Sequence, residues 1–199
     1  MTEMTQAANP ALQLIDEMSR EFPAFRIVPK AGSRLNLAID RALRCLTLGG
    51  QSSYMTEYFT VLGDTLYTPP GWEQMSPADQ VILLRHERVH LRQRRRYTSL
   101  GMAFLYLFPL LPIGLALGRA RIEWEAYRET LRATHEIYGL EAAQDPALRR
   151  KIVGRFTGPA YGWMWPFPRS VGQWYDQVLS ELEGPICADK ARPAKEYRS

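Results

Sequence analysis

One uncharged stretch constrains the fold of this chain more than any other feature. From Ser99 to Gly118, "SLGMAFLYLFPLLPIGLALG", twenty residues carry no charge. At about 1.5 Å per residue, one straight helix of this length would cross a bilayer. Segments with helical patterns, 77–96 and 119–138, lie on either side of it. A straight crossing would therefore put these two segments on opposite sides of a membrane.

Two prolines near the middle of the stretch, Pro109 and Pro112, offer a place for the chain to turn back. Each arm would then hold about nine or ten residues, too few to span a bilayer. We predict an apolar hairpin insertion over 99–118 that docks on a membrane or a partner; the alternative is a hairpin buried in the core. The flanking arginines 94–96, 119 and 121 favour a membrane surface over nucleic acid, although a solvated arginine face is the simpler reading.

The remaining composition is that of an ordinary globular protein. At 199 residues, with 46% hydrophobic and 23% charged residues, the chain fits one domain over 1–183, followed by a polar tail at 184–199 that we expect to be disordered. Cys45 and Cys187 form no CxxC pair, so neither a disulfide framework nor a zinc ribbon is indicated. With no secretory signal pattern at the amino terminus, we expect a cytoplasmic protein that associates with membranes through the hairpin.

Local patterns predict a mostly α-helical fold with a small antiparallel β-hairpin or sheet, of the α+β class. A hairpin is expected in "YMTEYFTVLGDTLYTP", turning at Leu62-Gly63-Asp64. Ser76-Pro77 supplies an N-cap and a first-turn proline for a helix that should run to about Arg96. Further helices are expected at 10–20, 33–44, 119–138, from 145 onward and at 169–182.

The 76–96 helix contains the sequence His86-Glu87-Arg88-Val89-His90. Residues four apart on a helix point the same way, so both imidazoles can bind one ion, with Glu87 beside them. Arg85, Arg88 and Arg92 form a stripe nearly opposite the histidines, which indicates that the histidines face inward. We therefore predict a metal site, with zinc as the ion; the alternative is a buried histidine pair satisfied by protein acceptors.

A catalytic zinc usually needs a third protein ligand. The candidates are Glu123, Glu125, Glu129, His135 and Cys45. On a helical wheel of residues 119–138, Glu123 is the only charged residue on the apolar face, where an unpaired carboxylate would be costly. We predict Glu123 as the third ligand; the alternative is a buried salt bridge to an arginine.

These residues resemble those of the gluzincin zinc metallopeptidases, especially the membrane-associated group that processes prenylated and heat-shock proteins. "HERVH" matches the family's His-Glu-x-x-His, and "EWEAY" resembles its later Glu-x-x-Ala-Asp, whose first glutamate is the third zinc ligand. The resemblance implies a zincin-like minimal peptidase domain, with "DTLYTP" as the strand bordering the cleft. Tyr127 stands where the family has an aspartate that supports a ligand histidine, so that support must come from elsewhere.

The expected activity is zinc-dependent hydrolysis of peptide or protein substrates. Glu87 would accept a proton from a zinc-activated water and pass it to the leaving amine. Tyr127 or Tyr161 could stabilise the oxyanion. Two alternatives stay open: a non-catalytic zinc-binding protein with a docking hairpin, and a deformylase-like amidohydrolase that uses Cys45 as the third ligand.

Overall fold

The computed structural model describes residues 9–46, 53–107, 116–158 and 163–184. This part of the chain is mostly helical, with one small mixed sheet, which confirms the α+β class. The helices are α1 (Pro10–Glu21), α2 (Arg34–Leu46), α3 (Tyr54–Glu57), α4 (Pro77–Leu107), α5 (Leu117–Tyr138), α6 (Leu140–Ala143), α7 (Pro146–Thr157) and α8 (Pro168–Glu183). The strands are β1 (Arg26–Pro29), β2 (Thr60–Leu62) and β3 (Thr65–Thr68). The expected tail lies outside the described residues.

The predicted starts of α4 and α7 are confirmed, and both are set by local side-chain chemistry. Ser76 Oγ accepts a hydrogen bond from the Asp79 amide at 3.1 Å, and Pro77 opens α4. Asp145 likewise accepts from the Ala147 amide at 2.8 Å at the start of α7. At the other end of α5, Gly139 adopts φ 89°, a conformation that favours glycine and ends the helix as predicted.

The sheet has the order β1-β3-β2, with β3 in the centre. Strands β2 and β3 form the predicted antiparallel hairpin, and Gly63 turns it at φ 64°. β1 pairs in parallel with β3, from Arg26 beside Thr65 to Pro29 beside Thr68. The hairpin is shorter than predicted, because Tyr54–Glu57 forms helix α3 instead of strand. Since both edges of β3 are paired, the edge strands of the described sheet are β1 and β2. The segment "DTLYTP" contains β3 and therefore forms the central strand of the sheet.

Two hydrophobic clusters flank the helix pair α4 and α5. The first packs α1 and β3 against α4, and its largest fully buried members are Met18, Phe22, Leu66, Leu84 and Leu91. The second packs α5 against α7 and α8, and its fully buried members include Leu131, Ile152, Phe156 and Tyr175. Burying each such side chain contributes roughly 1.5–3 kcal/mol. Both helices are therefore held from their outer sides, which fixes the face that each presents to the other.

Helices α4 and α5 run antiparallel, since Gln93 contacts Ile122 and His86 contacts Thr130. The chain therefore reverses direction between Leu107 and Ala116, as a metal site shared by the two helices requires. The predicted end of the histidine helix near Arg96 is wrong: α4 continues to Leu107, two residues before Pro109. No helix in the described ranges is both long and apolar enough to cross a membrane. Residues 108–115, in the middle of the predicted hairpin, lie outside the description.

Candidate metal centre

The two histidines of α4 converge on one point. His86 and His90 lie one turn apart, and their rings meet edge to face with centroids 5.0 Å apart. Their Nε2 atoms are 3.3 Å from each other. Only 11% of the His90 side chain is exposed, so the pair faces inward as the wheel predicted.

Glu123 completes the group from α5. Its side chain is 7% exposed, and Oε2 lies 3.8 Å from His90 Nε2. One ligand atom from each of His86, His90 and Glu123 falls within 4.8 Å of the others. The structure therefore brings together the three residues that the sequence predicted as ligands.

The other candidates for the third ligand lie elsewhere. Glu125 accepts a hydrogen bond from Gln93 at 2.9 Å, and Glu129 pairs with Arg85 at 2.6 Å. Cys45 is exposed on α2. His135, like these three, is not a member of the group of ligand atoms found among the described residues.

His86 is oriented by Thr130. His86 Nδ1 lies 2.9 Å from Thr130 Oγ1, and that hydroxyl donates its own proton to the Ala126 carbonyl at 3.2 Å. With the hydroxyl proton used in this way, Thr130 accepts from His86, so we assign the proton of the imidazole to Nδ1. Burial, followed by the nearby His90, holds the pKa of His86 well below its usual value, so the imidazole is neutral and Nε2 carries a free lone pair.

His90 is oriented by Gln93, whose side chain is buried between the two helices. The Gln93 amide nitrogen donates to the Ile122 carbonyl at 3.0 Å and to Glu125 Oε2 at 2.9 Å, both of which can only accept. Gln93 Oε1 must therefore be the atom 3.0 Å from His90 Nδ1, and it accepts a hydrogen bond there. His90 is thus also protonated at Nδ1 and presents Nε2 to the site.

This arrangement fits a bound cation. The two Nε2 atoms lie 3.3 Å apart with a buried carboxylate beside them. In a tetrahedral zinc site with bonds of about 2.0–2.1 Å, two nitrogen ligands lie about 3.3–3.4 Å apart. The histidine nitrogens already have this spacing, whereas the carboxylate oxygen, 3.8 Å from His90, would have to move slightly inward. Two imidazoles and one carboxylate suit zinc.

Glu87 lies beside the ligands in a buried position. It is 7% exposed, and burial raises its pKa to about 7, with the charge of Glu123 adding to the rise. His90 and the Lys30 ammonium act in the opposite direction. A cation held by the three ligands would also lower this pKa, because it favours the ionised carboxylate. With a cation in place, Glu87 would therefore be ionised and able to accept a proton.

Lys30 is a second buried charge close to the site. It follows β1, is fully buried, and donates from Nζ to the Tyr54 carbonyl at 2.8 Å, with Nζ 3.6 Å from the centre of the Tyr54 ring. Burial lowers the pKa of Lys30 to about 8, and the carboxylates of Glu87 and Asp40 partly offset that shift. The positive field of Lys30 thus acts on Glu87 from the side of the sheet.

Of the two tyrosines predicted to stabilise an oxyanion, one lies beside the ligands. The Tyr127 ring packs edge to face on His86, with centroids 4.9 Å apart, and its other side meets Phe156. This contact supports the orientation of His86, and the catalytic role of Tyr127 stays a prediction. Tyr161 lies outside the described residues.

The arginine stripe of α4 is less exposed than the sequence indicated. Arg85 pairs with Glu129 and Glu136 of α5, and Arg88 pairs with Glu21 of α1. The side chains of Arg85 and Arg88 are only 23% and 21% exposed. These arginines join α4 to α5 and to α1.

Sequence reasoning missed three residues of this site. Thr130 and Gln93 supply the support that the resemblance left unassigned when Tyr127 replaced the family's aspartate. Gln93 follows His90 by one helical turn and is uncharged within "RQRRR", which is a signal that could have found it. Lys30 carries no comparable signal, because only the parallel pairing of β1 with β3 brings it near the helix.

Comparison of the chain with protein-family models, with curated proteins and with solved structures finds no match.

Proposed function

We propose that this protein is a zinc-dependent metallopeptidase of the zincin type. The observation that supports the proposal most is the meeting of His86, His90 and Glu123, with both histidines held so that Nε2 points at the shared centre. Glu87 follows His86 directly in the sequence and places a second buried carboxylate beside the ligands.

The chain's own residues divide the work in this proposal. His86, His90 and Glu123 would hold the metal, which supplies a Lewis acid that activates water and polarises the substrate carbonyl. Glu87 accepts the proton of the attacking water and returns it to the leaving amine, a role for which a bound cation would keep its carboxylate ionised. An extended peptide would align along an edge strand, which makes β1 or β2 the candidate rather than β3.

A non-catalytic zinc protein is the second candidate. The low exposure of His90 and Glu123, 11% and 7%, favours it, because a substrate must reach the metal in a peptidase. Catalytic sites keep an open ligand position, whereas structural sites are closed. The two candidates agree on the ligands and differ only in the role of Glu87.

One experiment with two arms tests the proposal. In the first, elemental analysis of the purified protein should find about one zinc per chain, which His86→Ala and Glu123→Ala lose. Cys45→Ala is the matched control, since Cys45 is exposed on α2 and should keep the metal. Retention of zinc by Glu123→Ala together with loss from Cys45→Ala would favour the deformylase-like reading.

The second arm measures hydrolysis of a quenched-fluorescent peptide library. Glu87→Gln should keep the zinc and lose at least about a hundredfold in rate, the usual contribution of a general base. If Glu87→Gln retains both zinc and full activity, Glu87 is not the base and the peptidase mechanism fails. If the zinc-loaded wild type cleaves no peptide, the non-catalytic candidate stands.

A further inference from the structure

The proposed metal centre is nearly closed to solvent in this structure. The side chains of His90 and Glu123 are only 11% and 7% exposed, and Glu87 is 7% exposed. A peptide cannot bind a metal that solvent hardly reaches, so a peptidase with this centre needs part of the enclosure to move. The segment 53–58, which contains the one-turn helix α3, is the part of the described chain best suited to move, and we call it the strap.

One end of the strap lies on the Glu87 side of the site. Glu87 follows Leu84 by three residues and precedes Leu91 by four, so it lies on the stripe of α4 that packs with β3. Lys30 directly follows strand β1 of the same sheet, and its positive field reaches Glu87. Lys30 Nζ donates to the Tyr54 carbonyl at 2.8 Å, which ties the first residue of α3 to this side.

The other end of the strap lies on the His86 side. Tyr58 follows α3, and the guanidinium of Arg155 lies 4.6 Å from the centre of the Tyr58 ring. Arg155 precedes Phe156 on α7. The Phe156 ring contacts Tyr127, whose ring contacts His86, and the positive field of Arg155 also reaches this histidine. The strap therefore extends from one side of the candidate centre to the other.

The strap lies outside both hydrophobic clusters. Tyr54 and Tyr58 are buried, at 6% and 9% exposure, yet neither belongs to a cluster. Between them Thr56 and Glu57 are exposed, and the side chain of Ser53 makes no cap to α3. A single helical turn without a place in the core opens at a low free-energy cost. The strap can therefore open while the rest of the protein stays folded.

Tyr54 fixes the strap to α2. Its hydroxyl donates to Asn36 Oδ1 at 2.8 Å, and Asn36 is fully buried. The strap cannot leave the site without breaking this hydrogen bond and the one that Lys30 donates to the Tyr54 carbonyl. Removal of the Tyr54 hydroxyl is therefore the smallest change that should favour opening.

We propose that the strap closes the metal centre in this structure and lies where the main chain of a peptide substrate would bind. The contact of Lys30 supports the second part, because a main-chain carbonyl like that of Tyr54 is the group that a peptide would offer to this ammonium. Closure of the centre is argued from geometry, whereas the relation of the strap to a substrate rests on the proposed peptidase function. The burial of the ligands is then a property of the closed state.

Chemical modification of histidine tests the closure without metal or activity. Diethyl pyrocarbonate reacts with accessible neutral imidazoles. In the metal-free protein, His86 and His90 should react at least about tenfold more slowly than His135, a partly exposed internal reference outside the ligand group. Tyr54→Phe keeps the ring and removes the hydrogen bond to Asn36. Loss of one hydrogen bond shifts an equilibrium by roughly fivefold to tenfold, so both ligand histidines should react faster by that factor.

Tyr175→Phe is the matched control. Tyr175 is fully buried on α8, and its hydroxyl donates to the Ala143 carbonyl of α6 at 2.6 Å, a contact that involves no residue of the strap. This variant should change the reaction of the ligand histidines by less than about twofold. An equal rise in both variants would mean that global unfolding exposes the histidines. That result, no rise in Tyr54→Phe, or ligand histidines that react as fast as His135 in wild type would each overturn the proposal.

Peptide hydrolysis by the zinc-loaded protein provides a second readout. If the strap must open before a substrate binds, kcat/KM scales with the open fraction. It should therefore rise in Tyr54→Phe by the same factor as histidine modification and stay unchanged in Tyr175→Phe. Faster modification without a rise in kcat/KM would overturn the relation of the strap to the substrate. If the wild type cleaves no peptide, the peptidase function fails, and the modification rates still decide whether the strap closes the centre.

Discussion

Gln93→Leu tests whether the histidines are held for a metal. The substitution keeps a side chain of similar size on α4 and removes the amide that contacts His90, the Ile122 carbonyl and Glu125. His90 then loses the acceptor that fixes its Nδ1 proton. Its ring can rotate or take the other tautomer, in which Nε2 carries the proton and cannot bind a metal.

The expected size of the effect follows from these contacts. Loss of an outer partner of a metal-bound histidine typically lowers metal affinity about 10–100-fold, or about 1.4–2.7 kcal/mol. The same change also weakens the contact of α4 with α5. Two neutral hydrogen bonds are worth about 1 kcal/mol each and one to a carboxylate about 2 kcal/mol, so the free energy of unfolding should fall by up to about 4 kcal/mol.

Chelator competition measures the loss of zinc affinity separately from the loss of stability, provided that it is performed under conditions where the variant is folded. Gln80→Leu is the matched control: Gln80 lies on the same helix and donates to the Trp72 carbonyl at 3.0 Å, but it contacts neither histidine. It should lose about 1 kcal/mol of stability and keep wild-type zinc affinity. Nitrogen-15 shifts of the metal-free protein should show His90 protonated at Nδ1 in wild type and as a tautomer mixture in Gln93→Leu.

If the zinc affinity of Gln93→Leu is within about twofold of wild type, the loss is well short of the expected one and the reasoning is refuted. It would also be refuted by unchanged nitrogen-15 shifts. Thr130→Val removes the acceptor of His86 in the same way and should give a loss of similar size. Since each variant acts on a different histidine, their tautomer effects should be seen on different rings.

Two further predictions concern stability and pH. The pKa of Lys30, lowered to about 8, means that the unfolded chain binds more protons than the folded one between about pH 8 and 10.5, so stability should rise with pH there by up to about 3 kcal/mol. Urea unfolding at pH 7.5 and 10 should show this rise in wild type and not in Lys30→Met. Hydrogen bonding to Arg92, and then to Arg88, lowers the pKa of Glu21 to about 2, so its stabilisation is present above about pH 4.5 and is lost as pH falls toward 2. Glu21→Gln should therefore cost about 1–2 kcal/mol at pH 7, reduced by the exposure of Arg92, and the difference from wild type should shrink in acid.

Features set by local chemistry could be predicted from the sequence. Ser76 and Asp145 mark helix starts because their side chains bond the first free amides, and Gly139 marks an end because it tolerates positive φ. Glu123 was found by the same kind of reasoning. One carboxylate on an otherwise apolar helical face needs a partner, and the face could be read from the spacing alone.

Features set by contacts between distant parts of the chain could not be predicted from the sequence. The parallel pairing of β1 with β3 joins segments that are far apart in sequence, and it alone carries Lys30 toward Glu87. The sequence predicts strand at Tyr54 because aromatic residues favour strands, yet Tyr54 begins α3 and covers Lys30. The sequence also predicts that the arginines of α4 face solvent, because it does not reveal that acidic residues of α1 and α5 lie opposite Arg85 and Arg88.

The length of α4 was missed for a different reason. The change from charged to apolar residues near Arg96 predicts a boundary there, but a helix is a backbone structure that ends where its hydrogen bonds cannot continue. "YTSLGMAFLYL" contains no residue that forbids a helix, and Gly101 alone only weakens one. The described part of α4 reaches Leu107, two residues before Pro109.

The contacts between α4 and α5 also bear on the kind of metal site that we propose. The helices are joined by Arg85 with Glu129, by Gln93 with Ile122 and by the Tyr138 hydroxyl with Asp79, and none of these contacts passes through a ligand atom. Hydrophobic clusters hold both helices from their outer sides as well. In a small structural zinc domain the free energy of metal binding is the free energy of folding, because little else orders the ligands. Here protein contacts order the three candidate ligands without a metal, which is the preorganisation that the proposed catalytic centre needs.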